Sequence, residues 1–170
     1  KTYPPVSVEH DIRPIVITNS LAKICESFIG KFFNGHFTNH LDPCQFGCSS
    51  GRSTTYALLK ITDTWFKAAD DDHNITRVLF VDFRKAFDFI NHNTLLHKFN
   101  LCNFPEHLTV WSMEFLQDRK QFVKIGSNYS KSVCIFAGSP QGTIAGPNNF
   151  KLLINDLNLE TLCVKYVDDT

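Results

Sequence analysis

Arg77-Val78-Leu79-Phe80-Val81-Asp82-Phe83 is the stretch on which the fold turns. It is β-branched and apolar almost throughout and reads as a buried strand, yet it closes on a carboxylate. A second such stretch, Cys163-Val164-Lys165-Tyr166-Val167, runs straight into Asp168-Asp169. A carboxylate at the end of a hydrophobic strand is costly unless something positive neutralises it. If the two strands are neighbours in one sheet, their acids converge at one end of it. Carboxylates that close repel each other unless a divalent cation sits between them. Oxygen-only donors favour Mg²⁺ or Mn²⁺ over zinc, and two such ions about 3.5–4 Å apart can clamp the oxygens of a phosphoryl transfer. Strand side chains alternate between faces, so only one of Asp168 and Asp169 shares Asp82's face directly. Asp168 is the expected one, with Asp169 a weaker participant at the turn. The alternative is that each acid simply caps its strand or the turn after it.

Outward from these strands, the chain alternates helix and strand. Thr18, Asn19 or Ser20 can cap a helix through about Phe33, with Leu21, Ile24, Cys25, Phe28 and Ile29 on one apolar stripe and Asn34-Gly35 closing it. Ser53 or Thr54 starts a second helix, with Ala57, Leu58, Ile61, Trp65 and Phe66 facing inward and Asp70, Asp71 and Asp72 in a solvated turn. A helical stretch follows Phe83 to Phe99, where Asp88 and His92 lie four apart as local support. Pro105 opens another helix, to Leu116. Strands near Gln121 to Ile125 and Ser132 to Phe136 flank Gly126-Ser127-Asn128 as a hairpin. The loop Gly138 to Gln141 leads into a helix ending near Leu157. The pattern is α+β, with helices backing a small, largely antiparallel sheet.

Composition narrows the classes. Lys plus Arg equals Asp plus Glu, 17 each, which excludes a surface that holds nucleic acid by net charge alone but not a local basic groove. Sixteen Phe argue for a packed core. No apolar run approaches the roughly 18 residues of a membrane helix. Six Cys, thinly spread through apolar segments, read as reduced thiols of an intracellular protein. The run His36, His40, Cys44, Cys48 is broken by Pro43 and lacks a tight Cys-x-x-Cys knuckle, so it reads as ordinary loop chemistry. The first residue is Lys1, and no secretory leader follows it.

Ordered motifs then carry a family resemblance. Val81-Asp82-Phe83-Arg84-Lys85-Ala86-Phe87-Asp88 resembles motif A of reverse transcriptases. Gly138-Ser139-Pro140-Gln141-Gly142-Thr143-Ile144-Ala145-Gly146-Pro147 resembles motif B, and Tyr166-Val167-Asp168-Asp169 resembles motif C. Arg13-Pro14-Ile15 is similar to a fingers motif, and Gln45-Phe46-Gly47 with Gly51-Arg52-Ser53-Thr54 to the segment after it. Lys-Ala-Phe-Asp, the Gly-Pro pair and Ile154-Asn155-Asp156-Leu157 resemble non-LTR (LINE-type, jockey-like) retrotransposons more than LTR or retroviral enzymes.

The resemblance implies a polymerase palm with part of the fingers: about 1–75 partial fingers and palm-flanking helices, about 76–170 the palm with motifs A, B and C. It implies RNA-directed DNA synthesis, a two-metal nucleotidyl transfer of dNTPs onto a DNA primer 3′-OH along an RNA template. Asp82, Asp168 and Asp169, with the Phe83 backbone carbonyl, would hold two Mg²⁺ ions, or Mn²⁺. Arg13 would grip phosphates, and Arg84, Lys85 and Ala86 would cradle the triphosphate. Phe87 would be the steric gate against a 2′-OH, and Gln141 and Gly142 would contact the nascent pair. Tyr166 and Val167 would lie near the primer end, with Gln45, Arg119 and Lys120 along primer or template. Location would be the nucleus and cytoplasm.

Three departures stand out. Asn148-Asn149 replace a larger apolar pair, Ala145 a common Leu, and Val167 a common Ala. Set against the resemblance, the returning strand, the primer grip, the thumb and any endonuclease domain are expected to be missing from these 170 residues, so this chain alone is expected to be inactive. The competing reading is a remnant or domesticated fragment that binds RNA without catalysis. A group II intron maturase or telomerase is the third.

Overall fold

A computed structural model describes residues 15–70 and 75–170. Arg13, Pro14, Asp71 and Asp72 lie outside the described residues. Among the described residues five helices are formed: α1 (Ser20–Phe37), α2 (Thr54–Ala69), α3 (His92–Leu101), α4 (Glu106–Leu116) and α5 (Ala145–Leu153). Local chemistry sets their starts. The Asn19 side chain accepts from the Ala22 N–H, Ser53 from Tyr56, and Asn91 from both Asn93 and Thr94. Pro105 precedes α4 with φ −53°, preorganised for the helical turn.

Four short strands, β1 (Arg119–Gln121), β2 (Lys124–Ile125), β3 (Asn128–Tyr129) and β4 (Val133–Ile135), build one antiparallel hairpin in two pieces. Arg119 pairs with Ile135 and Gln121 with Val133, while Lys124 pairs with Tyr129 around Gly126. The ladder breaks between the pieces, where the Ser130 hydroxyl accepts from the Val123 N–H at 2.9 Å. The mixed α+β character is as read from the sequence: helices around small antiparallel pairings.

The core lies where α1, α3, α4 and α5 meet. Phe33, Phe37, Phe99, Phe104 and Phe150 are buried together, with Leu95, Leu116 and Leu152. Phe104 packs on Phe33 and Phe99 with ring centroids 4.8 and 4.9 Å away. Each buried side chain of this kind contributes about 1.5–3 kcal/mol.

Five expectations about elements are corrected. Helix α1 does not close at Asn34-Gly35. Phe37 is 1% exposed, and its burial, with the Thr38 N–H on the Asn34 carbonyl, carries the helix through a glycine. Its inward face is Glu26, Gly30, Phe33 and Phe37, so Leu21, Ile24, Cys25 and Phe28 face out. The rotation follows from close approach to α5: a Cβ at Gly30 would sit 2.7 Å from Ile144 Cγ2. Likewise only Ala57 of α2 is buried, and Leu58, Trp65 and Phe66 are exposed.

The strand expected over Arg77–Phe83 does not form as a ladder. Only Asp82 bridges, and Val78, Leu79, Phe80 and Val81 are exposed. From Arg84 to Phe89 the chain runs in turns rather than helix, and α3 starts at His92. Lys85 breaks the helical run with φ 50°.

Candidate active site

The segment Tyr166–Asp169 is a two-residue turn. The Tyr166 N–H donates to the Asp169 carbonyl at 2.7 Å, and the Asp169 N–H returns to Tyr166 at 3.3 Å. Val167 takes φ 60°, which for a β-branched residue costs on the order of 1–2 kcal/mol. Three features hold it there. Its side chain is 8% exposed in the core cluster, and its N–H donates to Gln45 Oε1 at 3.2 Å. Gly47 lies flat beneath it, where a Cβ would come within 2.5 Å of the Val167 nitrogen.

Beyond the turn the chain meets the apolar arm. Val81 and Thr170 exchange both backbone hydrogen bonds, at 2.6 and 3.0 Å, and the Phe83 N–H points at the Asp168 carbonyl at 3.5 Å. Asp82 and Asp169 are therefore a directly opposed, non-hydrogen-bonded antiparallel pair, the kind whose side chains share one face most closely. Here the expectation is corrected: Asp169, not Asp168, faces Asp82. Val167 and Asp168 occupy the turn itself, so the return begins one residue later than simple alternation supposed. Asp82 and Asp169 are exposed and Asp168 is half-buried.

Two hard-oxygen donors on one face, with a third at the adjacent turn, suit Mg²⁺ chemistry. Among the described residues, however, no three His, Cys, Asp or Glu side chains gather closely enough to hold an ion in this arrangement.

The glycine-rich loop 138–142 is fastened to the turns after Asp82. The Ser139 N–H donates to the Phe87 carbonyl at 2.7 Å and the Gly138 N–H to Ile90 at 2.9 Å. Gly138 lies so close that a Cβ would stand 2.7 Å from the Asp88 oxygen. Asp88 accepts from Gln141 Nε2 at 3.2 Å, and His92 Nε2 bonds the Gly138 carbonyl at 2.9 Å. Asp88 and His92 thus bind the loop rather than supporting a helix together. The Phe87 ring is half-buried against Phe150, 5.7 Å between centroids, beside Gly146. Ala86 is buried while Arg84 and Lys85 are exposed. Phe83 packs edge-on against Phe150. Gly142, with φ 91°, faces Ile15, and Val16 donates to the Gln141 carbonyl at 2.9 Å. The segment following Arg13-Pro14 therefore crosses this loop.

Other expected contacts are placed elsewhere. Gln45 is 1% exposed and spends its oxygen on the Val167 and Gly47 N–H groups, so it faces no strand of nucleic acid. Arg119 donates to the Leu116, Ala137 and Gly138 carbonyls, and burial lowers its guanidinium pKa. It braces the loop from behind. Val167 points inward and offers a primer no side chain. Tyr166 is half-buried, and Lys120 is exposed on β1.

Sequence reasoning missed a polar mount behind the turn. Lys165 is fully buried, with Nζ on Asp42 Oδ2 at 2.5 Å and on the Ile154 and Asn155 carbonyls at 3.2 and 3.3 Å. Asn155 accepts from the Asp42 N–H and donates to the His40 carbonyl. A lone Lys within Cys-Val-Lys-Tyr-Val was the available signal, but its partner lies 123 residues away. Glu26, 3% exposed, caps α5 by accepting from the Ala145 N–H at 2.9 Å, a role no local pattern announced.

Comparison with known proteins identifies the family. The family model described as reverse transcriptase (RNA-dependent DNA polymerase) matches residues 5–170. A probable RNA-directed DNA polymerase from transposon BS of Drosophila melanogaster is 31% identical, over 90% of this chain and 17% of its own length. The RNA-directed DNA polymerase from mobile element jockey, also from Drosophila melanogaster, is 28% identical over 93% of this chain and 18% of its own. A Pol polyprotein from the type-1 retrotransposable element R2 of Popillia japonica is 23% identical over 85% of this chain and 20% of its own. The chain spans about a fifth or less of the length of these curated relatives.

Proposed function

The chain belongs to the reverse transcriptase family, and from that premise we propose that it is the catalytic palm, with part of the fingers, of a non-LTR retrotransposon RNA-directed DNA polymerase. The observation that carries the reading is the backbone exchange between Val81 and Thr170, which sets Asp82 against Asp169 beside a clamped glycine-rich loop. Asp82 and Asp169, with Asp168 at the turn, would hold the divalent ions. When bound, these ions supply charge neutralisation to a primer 3′-oxygen and to the leaving pyrophosphate. The residues around them do the rest. The turn Arg84-Lys85-Ala86, exposed at Arg84 and Lys85, offers backbone and cationic groups to a triphosphate, and Arg13 would reach it from the fingers. Phe87, held by Phe150, presents a ring edge beneath the sugar and excludes a 2′-OH. Gln141, tied to Asp88, and Gly142 shape the nascent pair's floor. An RNA template and DNA primer are the partners.

The test is primer extension on RNA with dNTPs and Mg²⁺ by the polypeptide that contains this chain. Asp82→Asn is expected to cut extension by at least about a hundredfold; extension at the parental rate rejects the assignment. Phe87→Ala is expected to admit ribonucleotides, and unchanged sugar selectivity removes the gate from Phe87.

A further inference from the structure

Gln45 is an anomaly in a family site read as catalytic. Its amide is 1% exposed, its Oε1 accepts two backbone N–H groups, and its Nε2 has no partner among the described residues. An unpartnered buried amide is costly, because its lost hydration is not replaced by a hydrogen bond. An apolar side chain of similar volume would avoid that cost if the position only filled space. What Gln45 does that no apolar residue can do is accept the N–H of Val167, the residue forced to positive φ in the acidic turn.

The surroundings hold Gln45 in place. Its backbone pairs in parallel with Lys165, whose N–H donates to the Cys44 carbonyl and whose carbonyl accepts from Phe46. The Lys165 ammonium is buried on Asp42, and the Asp42 Oδ1 accepts from the Cys44 N–H. Arg52 closes the same loop from outside through the Asp42, Pro43 and Gln45 carbonyls. The loop at 42–47 is thus a rigid bracket under the turn.

We propose that Gln45, seated on the Asp42–Lys165 pair, is a positioning residue: it fixes the left-handed conformation at Val167 and thereby sets Asp168 and Asp169 relative to Asp82. The link from the turn to metal binding rests on the polymerase reading; the grip on Val167 does not.

The experiment compares Gln45→Met, which keeps volume and removes the acceptor, with Gln45→Glu, which keeps an acceptor oxygen for both N–H groups. Amide hydrogen exchange is followed by NMR on the 170-residue chain, and Mn²⁺ alone is titrated as the metal probe. In Gln45→Met the Val167 amide is expected to exchange at least about tenfold faster, while amides of α3 and α4 change no more than global stability dictates. Mn²⁺ affinity is expected to fall severalfold, and Gln45→Glu to recover most of both. A Val167 amide that exchanges at the parental rate in a folded Gln45→Met chain overturns the proposal. So does a parental chain that binds Mn²⁺ no better than Gln45→Met does, provided Asp82→Asn abolishes the parental binding. Should the parental chain bind no Mn²⁺ at all, the link from the turn to metal binding is rejected while the exchange result still decides the grip on Val167. The polymerase reading itself stands or falls on primer extension by Asp82→Asn. If Gln45→Met does not fold, Gly47→Ala, which drives a Cβ into Val167, is read the same way; unaltered Val167 exchange there overturns the bracket.

Discussion

The two arms that carry the acids are built on opposite plans. The arm from Cys163 to Val167 is wired from beneath, with Lys165 fully buried on Asp42 and Gln45 gripping the turn. The arm from Ile75 to Val81 is more apolar, yet Leu79 and Phe80 are 80% and 78% exposed, and backbone bonds to Thr170 secure its end. Apolar composition alone therefore did not order a strand. The less hydrophobic arm is the better anchored because its one charge found a partner and carbonyls to bind.

That contrast can be broken by mutation. Lys165→Ala leaves Asp42 and two carbonyls without their cation and is expected to cost about 3–5 kcal/mol in urea unfolding. Phe99→Ala, deep among Phe33 and Phe104, serves as a core standard of similar size, about 3–5 kcal/mol. If Lys165→Ala costs less than about 1 kcal/mol, the wired arm is not the anchor.

A smaller effect tests the loop from the other side. Glu26→Ala strips the cap from α5 and is expected to cost about 1–2 kcal/mol, measured by thermal unfolding.

Smaller still is the surface pair next to Asn155. The Lys98 hydrogen bond holds the Asp156 carboxyl below the usual carboxylate range. Its contribution is therefore present above the unfolded carboxylate pKa and is lost as pH falls through the depressed folded value. Asp156 is 65% exposed, so only a few tenths of a kcal/mol are expected. Asp156→Asn is expected to flatten that part of the acid limb below about pH 4.

The smallest effect belongs to the loose arm: Phe80→Ala is expected to change stability by no more than about 0.5 kcal/mol. A loss above about 2 kcal/mol would mean that this arm is packed after all.

Much of the fold was legible because its signals are short-range. Asn19, Ser53 and Pro105 start helices through chemistry completed within one turn, and the hairpin follows from Gly126 and its flanking residues. The acids were legible because charge after an apolar run is conspicuous in any context. Faces and partners were not. The α1 stripe of Leu21, Ile24 and Phe28 is a sound amphipathic pattern, but Gly30 against Ile144 decided which side met α5. Gln45, Arg119 and His92 read as candidate contacts or local support, while their partners are backbone groups brought near only by folding.

By itself, the sequence determined the starts of α1, α2 and α4, the hairpin, and two apolar runs ending in aspartate, because each depends on neighbours a few residues apart. Tertiary structure decided that Asp169 faces Asp82, since a two-residue turn absorbs Val167 and Asp168 before the ladder resumes. It also decided that Lys165 and Asp42 meet across 123 residues. A buried charge has to find its counter-charge wherever the packed chain places one, and no local pattern encodes that address.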